Sequence, residues 1–179
     1  MAYSAHYESP LGSILLASDG ENLIGLWMAG QKYFGDTVAE EIREKPNLPI
    51  FTAAQKWLDA YFAGKKPAVS ELPLAPRGGD FRQAVWRILC EIPYGHCLTY
   101  GEIARRMATR LNKSSMSSQA VGGAVGHNPI SIIIPCHRVV GTNGSLTGYS
   151  GGVAAKKRLL ELEGADMSKF FIPRQGTAL

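Results

Sequence analysis

The chain has 179 residues, 19 Lys and Arg against 15 Asp and Glu, a formal charge of +4 and 45% hydrophobic residues. That length holds one large domain or two small ones with an adequate core, and the balance excludes a disordered or fibrous chain. No apolar run reaches the roughly 20 residues that span a bilayer. Residues 1–6, Met1-Ala2-Tyr3-Ser4-Ala5-His6, lack a basic segment followed by an apolar one, so a cytoplasmic protein with no membrane partner is expected.

The charge is uneven. Residues 1–79 hold seven basic and nine acidic side chains, residues 80–170 eleven and six, so the second half is the one suited to approach a polyanion. The cysteines are Cys90, Cys97 and Cys136; an odd count in a reducing compartment argues against a disulfide framework. Cys90 and Cys97 lack the histidine partners of a structural zinc site, and His96 beside Cys97 reads as incidental.

In chain order, residues 3–8, 12–17 and 23–28 read as short strands. Ser9-Pro10-Leu11-Gly12 turns between the first two, and Asp19-Gly20 is a hairpin signal between the second and third. A helix is expected over 37–43. A clearer one over 51–62 has Thr52 as its cap, Ala54, Trp57, Leu58, Tyr61 and Phe62 on one face, and Gly64 as its stop. The aromatic stripe reads as core, so this half is a small antiparallel sheet with a helix on it and no site. The proline-rich, aperiodic residues 67–77 and Gly78-Gly79 form a linker, dividing the chain into domains 1–76 and 77–179.

The second domain opens with Asp80 as an N-cap and a helical stripe of Phe81, Val85, Ile88, Leu89 and Ile92, ended by Pro93-Tyr94-Gly95. A helix over 98–107 carries Thr99 and Glu102 at capping-box spacing, with Ile103 and Met107 inward. After a polar turn over 108–115, a short helix over 117–125 contains Gln119-Ala120-Val121-Gly122-Gly123-Ala124. Each of its two central glycines costs about 1 kcal/mol relative to alanine, which is tolerated where backbone must come close to something. Helix, turn and small-residue helix suggest a helix-turn-helix. Small side chains cannot read a wide major groove, but they let a helix press into a minor groove; close helix–helix packing is the alternative. Asn143-Gly144 marks a tight turn. Gly148-Tyr149-Ser150-Gly151-Gly152 is a glycine-rich loop into a helix over 153–163, with Ser150 as its cap, Ala154, Leu159 and Leu160 inward, and Gly164 as its stop.

Between these lies Ile132-Ile133-Ile134-Pro135-Cys136-His137-Arg138, read as a buried strand that breaks on proline and at once presents a thiol, an imidazole and a guanidinium. A thiolate is the nucleophilic form of cysteine, and a neighbouring base or cation raises its population. The alternative is a buried, inert Cys136 with His137 and Arg138 starting a surface loop, because adjacent side chains of an extended chain point to opposite sides.

Ile134-Pro135-Cys136-His137-Arg138-Val139 resembles the active-site motif of the O6-alkylguanine-DNA alkyltransferases, also called methylated-DNA–protein-cysteine methyltransferases. The resemblance extends in the family's order through Phe81-Arg82-Gln83-Ala84-Val85-Trp86, Ile92-Pro93-Tyr94-Gly95, Thr99-Tyr100-Gly101-Glu102-Ile103-Ala104, Ala120-Val121-Gly122-Gly123-Ala124, Asn128-Pro129, Gly148-Tyr149-Ser150-Gly151-Gly152, Lys156, Leu159-Leu160 and Glu163-Gly164. Residues 1–75 match only loosely, mainly through Ser9-Pro10-Leu11-Gly12.

The resemblance implies an α+β protein: a small N-terminal α/β, ribonuclease H-like domain and a mostly helical C-terminal domain with a helix-turn-helix. It implies a monomer that binds double-stranded DNA containing O6-alkylguanine, flips the base out and transfers the alkyl group irreversibly to Cys136, once per molecule, without a cofactor. Some members carry zinc in the N-terminal part, but here that part has no cysteine and one histidine, His6, so no metal is expected. His137 would take the thiol proton through a water and Glu163 would orient His137. Asn128 would hold that water and brace the turn. Tyr100 would donate to the departing guanine, and backbone amides at Cys136 and Ser150 would stabilise its O6. Tyr149, Ser150, Val139 and Lys156 would form the substrate pocket, with Lys156 supporting the Ser150 loop or a nearby polar group. Gln119, Ala120, Gly122, Gly123, Thr99 and Arg138 would meet the DNA. Family members usually carry arginine just before the Ala-Val-Gly segment; here Gln119 stands there, after a longer turn, and brings no charge. Two rival readings are a non-catalytic protein that recognises alkylated DNA, whose known examples lack the cysteine, and a Cys-His hydrolase.

Overall fold

The computed structural model describes residues 1–174 and has two compact units, 1–78 with 129–133 and 79–128 with 134 onward. Together they make an α+β protein. The linker ends within two residues of the expected boundary, but the short segment 129–133, expected in the second domain, joins the first unit.

In the first unit, β1 (Ala2–Ser9), β2 (Gly12–Ser18), β3 (Leu23–Met28) and β4 (Ile42–Glu44) form one sheet in the order β3-β2-β1-β4. The two hairpins are antiparallel, and β4 pairs parallel to β1. The helix expected over 37–43 is absent: residues 33–37 turn, and Ile42–Glu44 add an edge strand. Two glutamates beside Ile42 allow helical periodicity, yet the pairing of Ala2 with Ile42 and the packing of Ile42 on the Ala2, Ala17, Ile24 and Trp27 cluster favour the strand. All six residues of β3 are buried. Its outer edge is covered by bridges to Leu74 and Ile130, with Leu26 N donating to Pro129 O at 2.8 Å and Ser131 N to Leu26 O at 3.2 Å. This pairing explains why 129–133 belongs to the first unit.

Helix α1 (Pro49–Phe62) buries Ile50, Phe51, Ala54, Trp57, Leu58 and Tyr61. It begins earlier than expected: Leu48 is the N-cap and Pro49 opens the helix, so Thr52 is not the cap. Proline suits that position because its fixed φ is helical and its missing N–H would have no intrahelical partner.

The second unit contains α2 (Asp80–Cys90), β5 (Leu98–Thr99), α3 (Tyr100–Arg110), α4 (Ser118–Gly126), β6 (Val139–Val140) and α5 (Val153–Leu162). Gly79, not Asp80, is the N-cap of α2; Asp80 lies in the first turn, where a carboxylate still favours the helix dipole. The capping box of α3 forms as expected: Glu102 N donates to Thr99 Oγ1 at 3.1 Å and Thr99 N to Glu102 Oε2 at 2.7 Å. Trp86 on α2 donates from Nε1 to Ala124 O at 2.9 Å, locking α4 to its neighbour. Strands β5 and β6 pair in parallel.

The triple-isoleucine run is not a strand. Ile132 has φ of 70°, Ile133 N donates back to Ser131 O, and Cys136 N donates to Ile134 O. A β-branched residue in the left-handed region costs about 1–2 kcal/mol. Burial all round makes the segment look strand-like in sequence although it turns twice. Helix α5 also differs from expectation. Its N-cap is Gly152, not Ser150, and Ala154 faces out while Lys156 joins Leu159 and Leu160 on the buried face. No described helix is long and apolar enough to cross a membrane.

Candidate active site

Cys136, His137 and Arg138 form a single 3₁₀ turn begun by Pro135. With three residues per turn, neighbouring side chains diverge by a third of a turn rather than alternating between faces. That local geometry removes the objection to three adjacent functional groups sharing one site: all three are buried.

His137 Nε2 lies 2.7 Å from Glu163 Oε1, and neither side chain is exposed. Arg138 holds the same carboxylate from the other side, donating from Nε to both oxygens at 3.1 and 3.0 Å and from Nη2 to Oε1 at 2.8 Å. Its remaining arm donates to Ile92 O at 2.6 Å, and Gly95 N donates to Glu163 Oε2 at 3.2 Å. Burial alone would raise the Glu163 pKa, but hydrogen bonds and charge from His137 and Arg138 outweigh it and hold it at about 2. A carboxylate here accepts a proton-bearing Nε2, which makes Nδ1 the basic nitrogen of His137; this tautomer is assigned from the network. Burial pulls the His137 pKa down, so the ring is neutral and able to accept a proton.

Burial pushes the Cys136 thiol up, against hydrogen bonding from Asn128 and the charge of Lys156. The resting thiol is therefore protonated. Asn128 donates from Nδ2 to Ile134 O at 2.8 Å, bracing the turn before the cysteine as expected. The Cys136 amide is committed to Ile134 O, so it does not point to a substrate oxygen as expected.

Tyr100 on α3, Tyr149 in the 147–150 loop and Lys156 on α5 lie near enough to Cys136 to feel its charge. Tyr100 donates from its hydroxyl to Thr147 O at 3.0 Å, and burial followed by Cys136 raises its pKa. Gly148 has φ of +84°, and a Cβ there would stand 2.5 Å from the Tyr100 hydroxyl, so only glycine lets the loop close on the phenol. Tyr149 is 6% exposed; its hydroxyl is buried with no hydrogen-bond partner among the described residues. Ser150 is buried in the turn before α5. Lys156 is wholly buried and donates to the carbonyls of Val139 and Thr147. Val139 is itself buried, with its carbonyl taken by Lys156.

Gln119, Ala120 and Gly123 are exposed along α4, while Val121, Ala124 and Val125 are buried. A Cβ on Gly123 would meet nothing within 4 Å, and one on Gly122 would make only ordinary contact with Tyr100 at 3.9 Å. Close packing within the protein therefore does not explain the two glycines. Thr99 is half-buried with its hydroxyl in the α3 cap. Arg138 does not belong with these residues. It was expected at the DNA, but it is 7% exposed and its guanidinium is spent on Glu163 and Ile92.

Sequence reasoning read Ile92-Pro93-Tyr94-Gly95 as the end of a helix and gave it no part in the site. This segment supplies a carbonyl to Arg138 and an amide to Glu163, and Tyr94 places its ring 5.8 Å from the Arg138 guanidinium. The signal was a turn sequence, Pro-Tyr-Gly, whose backbone groups were the functional part.

Residues 80–165 match the family described as 6-O-methylguanine DNA methyltransferase, DNA binding domain, and residues 2–76 its ribonuclease-like domain. The chain belongs to this family. It is 42% identical to the methylated-DNA–protein-cysteine methyltransferase of Haemophilus influenzae, over 90% of this chain and 86% of that protein. It is 44% identical to that of Methanosarcina acetivorans, over 91% and 99%. A crystal structure of Mycobacterium tuberculosis OGT in complex with DNA superposes with a TM-score of 0.79 at 40% identity, covering 94% of each chain.

Proposed function

We propose that this chain repairs DNA by transferring the alkyl group of an O6-alkylguanine directly and irreversibly to Sγ of Cys136, once per molecule. Membership in a methylated-DNA–protein-cysteine methyltransferase family supports the reaction class. The observation that supports Cys136 as acceptor is its buried thiol, one residue before a neutral His137 whose Nε2 meets the Glu163 carboxylate that Arg138 also holds.

In this reading His137 takes the thiol proton, directly or through a water, and the imidazolium that forms is stabilised by Glu163. Sγ attacks the alkyl carbon, the S–C bond forms and the C–O6 bond breaks. The electron pair passes into the guanine ring system, a far better leaving group than a simple alkoxide. Tyr100 leaves Thr147 to donate to the departing base, and the Ser150 amide meets O6. The product thioether is a poor leaving group, so nothing regenerates the thiol.

The alkylated atom is inaccessible inside a duplex, and flipping the base out costs a few kcal/mol. The exposed face of α4, Gln119, Ala120 and Gly123, supports a backbone-close approach to a minor groove, flanked by Gly122 and Thr99. Tyr149 and Val139 wall the base pocket. We extend the reading to a monomer working in the cytoplasm.

The test is intact-protein mass spectrometry after mixing with a duplex carrying one O6-methylguanine, with Cys136→Ala in parallel. A stoichiometric gain of one methyl in the wild type alone is expected. No gain with DNA binding retained would point to recognition of alkylated DNA without repair, and repeated turnover to a hydrolase.

A further inference from the structure

In the proposed reaction Tyr100 gives up the Thr147 carbonyl just when the 147–150 loop has to stay in place around the base. That hydrogen bond is 3.0 Å long, and Lys156 also donates to the same oxygen. The root of the loop, residues 144–146, is held by backbone from a segment with no part in the chemistry. Past α5, Met167–Lys169 make a 3₁₀ turn and the chain continues extended at Phe170. Phe171 N donates to Gly144 O at 3.1 Å, Leu146 N donates to Phe171 O at 2.9 Å, and Phe171 bridges Ser145 in parallel.

The approach is close. Gly144 has φ of +90°, and a Cβ there would collide with the Lys169 carbonyl oxygen, so a larger residue would push the two backbones apart. Inward, Ala165, Met167 and Phe170 pack on the buried cluster of Val140, Leu146 and Leu160. The Phe171 side chain is 46% exposed, so this residue is held by its backbone more than by its ring. A cleft of about 650 Å³, lined among others by Cys97, Leu98, Asn143, Asp166, Lys169 and Phe170, lies alongside. The segment is therefore not packed on every side, and its two backbone bonds to 144–146 matter to its position.

We propose that residues 165–171 are a strap that positions the substrate loop for alkyl transfer, through the backbone bonds of Phe171 to Gly144 and Leu146. This rests on the reading of Cys136 as acceptor and of 147–150 as the substrate loop. The strap starts two residues after Glu163, which meets His137, and ends beside the residues that lead into Thr147. It exchanges no proton and forms no bond with the substrate. With the strap in place the loop keeps its position after Tyr100 turns to the base. Without it the loop opens, and the alkyl carbon is held less often in line with Sγ. One backbone hydrogen bond shifts such a balance by roughly fivefold.

The experiment compares full-length wild type, Phe171→Pro and Phe171→Ala. Single-turnover methyl transfer is measured against the concentration of a duplex carrying O6-methylguanine, which separates duplex affinity from maximal rate. Amide hydrogen exchange over 144–150 is followed without DNA. Proline removes the donor to Gly144 O. Phe171→Pro should speed exchange over 144–150 and lower the maximal rate, each by about fivefold, with duplex affinity and the exchange of α1 unchanged. Phe171→Ala keeps that donor and removes only a half-exposed ring, so its losses should stay below about twofold. Gly144→Ala pushes the strap away from the other side; it should reproduce Phe171→Pro and serves if the proline variant does not fold. A folded Phe171→Pro or Gly144→Ala with wild-type exchange and maximal rate overturns the proposal, as does a Phe171→Ala that loses as much as Phe171→Pro. A wild type that is never methylated at Cys136 overturns instead the acceptor assignment, while the exchange arm still tests the strap.

Discussion

The two units solve burial in opposite ways. The first buries Ser4, Ser18, Gln31 and Ser131 as its polar side chains, with no buried ionic group among the described residues. Its ion pairs, such as Arg77 with Glu40 at 2.7 Å, are partly solvated. The second buries His137, Arg138, Lys156 and Glu163 together beside Cys136 and Tyr149. A scaffold gains from apolar area; a reactive site gives up part of that gain to hold charges away from water, where each acts more strongly on its neighbours. The contrast sets the second unit apart on the placement of its charges alone.

The largest test of that contrast is Glu163→Gln. It leaves the Arg138 guanidinium buried without its counter-charge, a loss of about 3–5 kcal/mol by urea unfolding, and should slow methyl transfer by about a hundredfold. Arg77→Ala in the first unit should cost less than about 1 kcal/mol and leave transfer unchanged. Equal losses at the two sites would erase the distinction.

Acid titration probes the same asymmetry. The folded pKa of Glu163, about 2, lies below its ordinary 4.5, so the stability it contributes is present above about pH 4.5 and is lost as pH falls toward 2. Urea midpoints measured across that range should fall for wild type and fall less for Glu163→Gln.

Gly148→Ala should cost about 1–2 kcal/mol and slow transfer, because the added methyl both strains a positive φ and strikes the Tyr100 hydroxyl. Thermal unfolding and single-turnover rates check both. Gly123→Ala should move the two readouts apart: its Cβ meets open space, so the helix gains up to about 1 kcal/mol while duplex affinity falls. A rise in both would remove α4 from the DNA face. The smallest effect is expected for Gln119→Arg, which should tighten DNA binding severalfold at low salt, steepen its salt dependence and leave stability unchanged. Unchanged affinity in a salt-controlled titration would count against a role for position 119.

Much of this was readable in the chain. The short strand-like runs at 3–8, 12–17 and 23–28 and the turn residues at 9–12 and 19–20 dictated the hairpins, because local pattern and turn chemistry agreed. Thr99 and Glu102 declared the start of α3 for the same reason. The failures were non-local. Ile42 became a strand by pairing with Ala2, forty residues away. Lys156 was left out of the inward face of α5 because a lysine is not read as core, and only the two carbonyls waiting there make it so.

By itself the sequence determined the two-part organisation, the order of elements around Cys136 and the chemistry available to a Cys-His-Arg triplet after proline. Residue types and short spacings are local properties, and they were enough for that. Only the tertiary structure decided which way the triplet turns, that Arg138 faces Glu163 rather than solvent, and that Tyr100 and Lys156 meet on one carbonyl oxygen. Those outcomes depend on backbone groups from four separate segments, near 92, 100, 139 and 147, and a side-chain pattern carries no direct record of where a distant carbonyl will point.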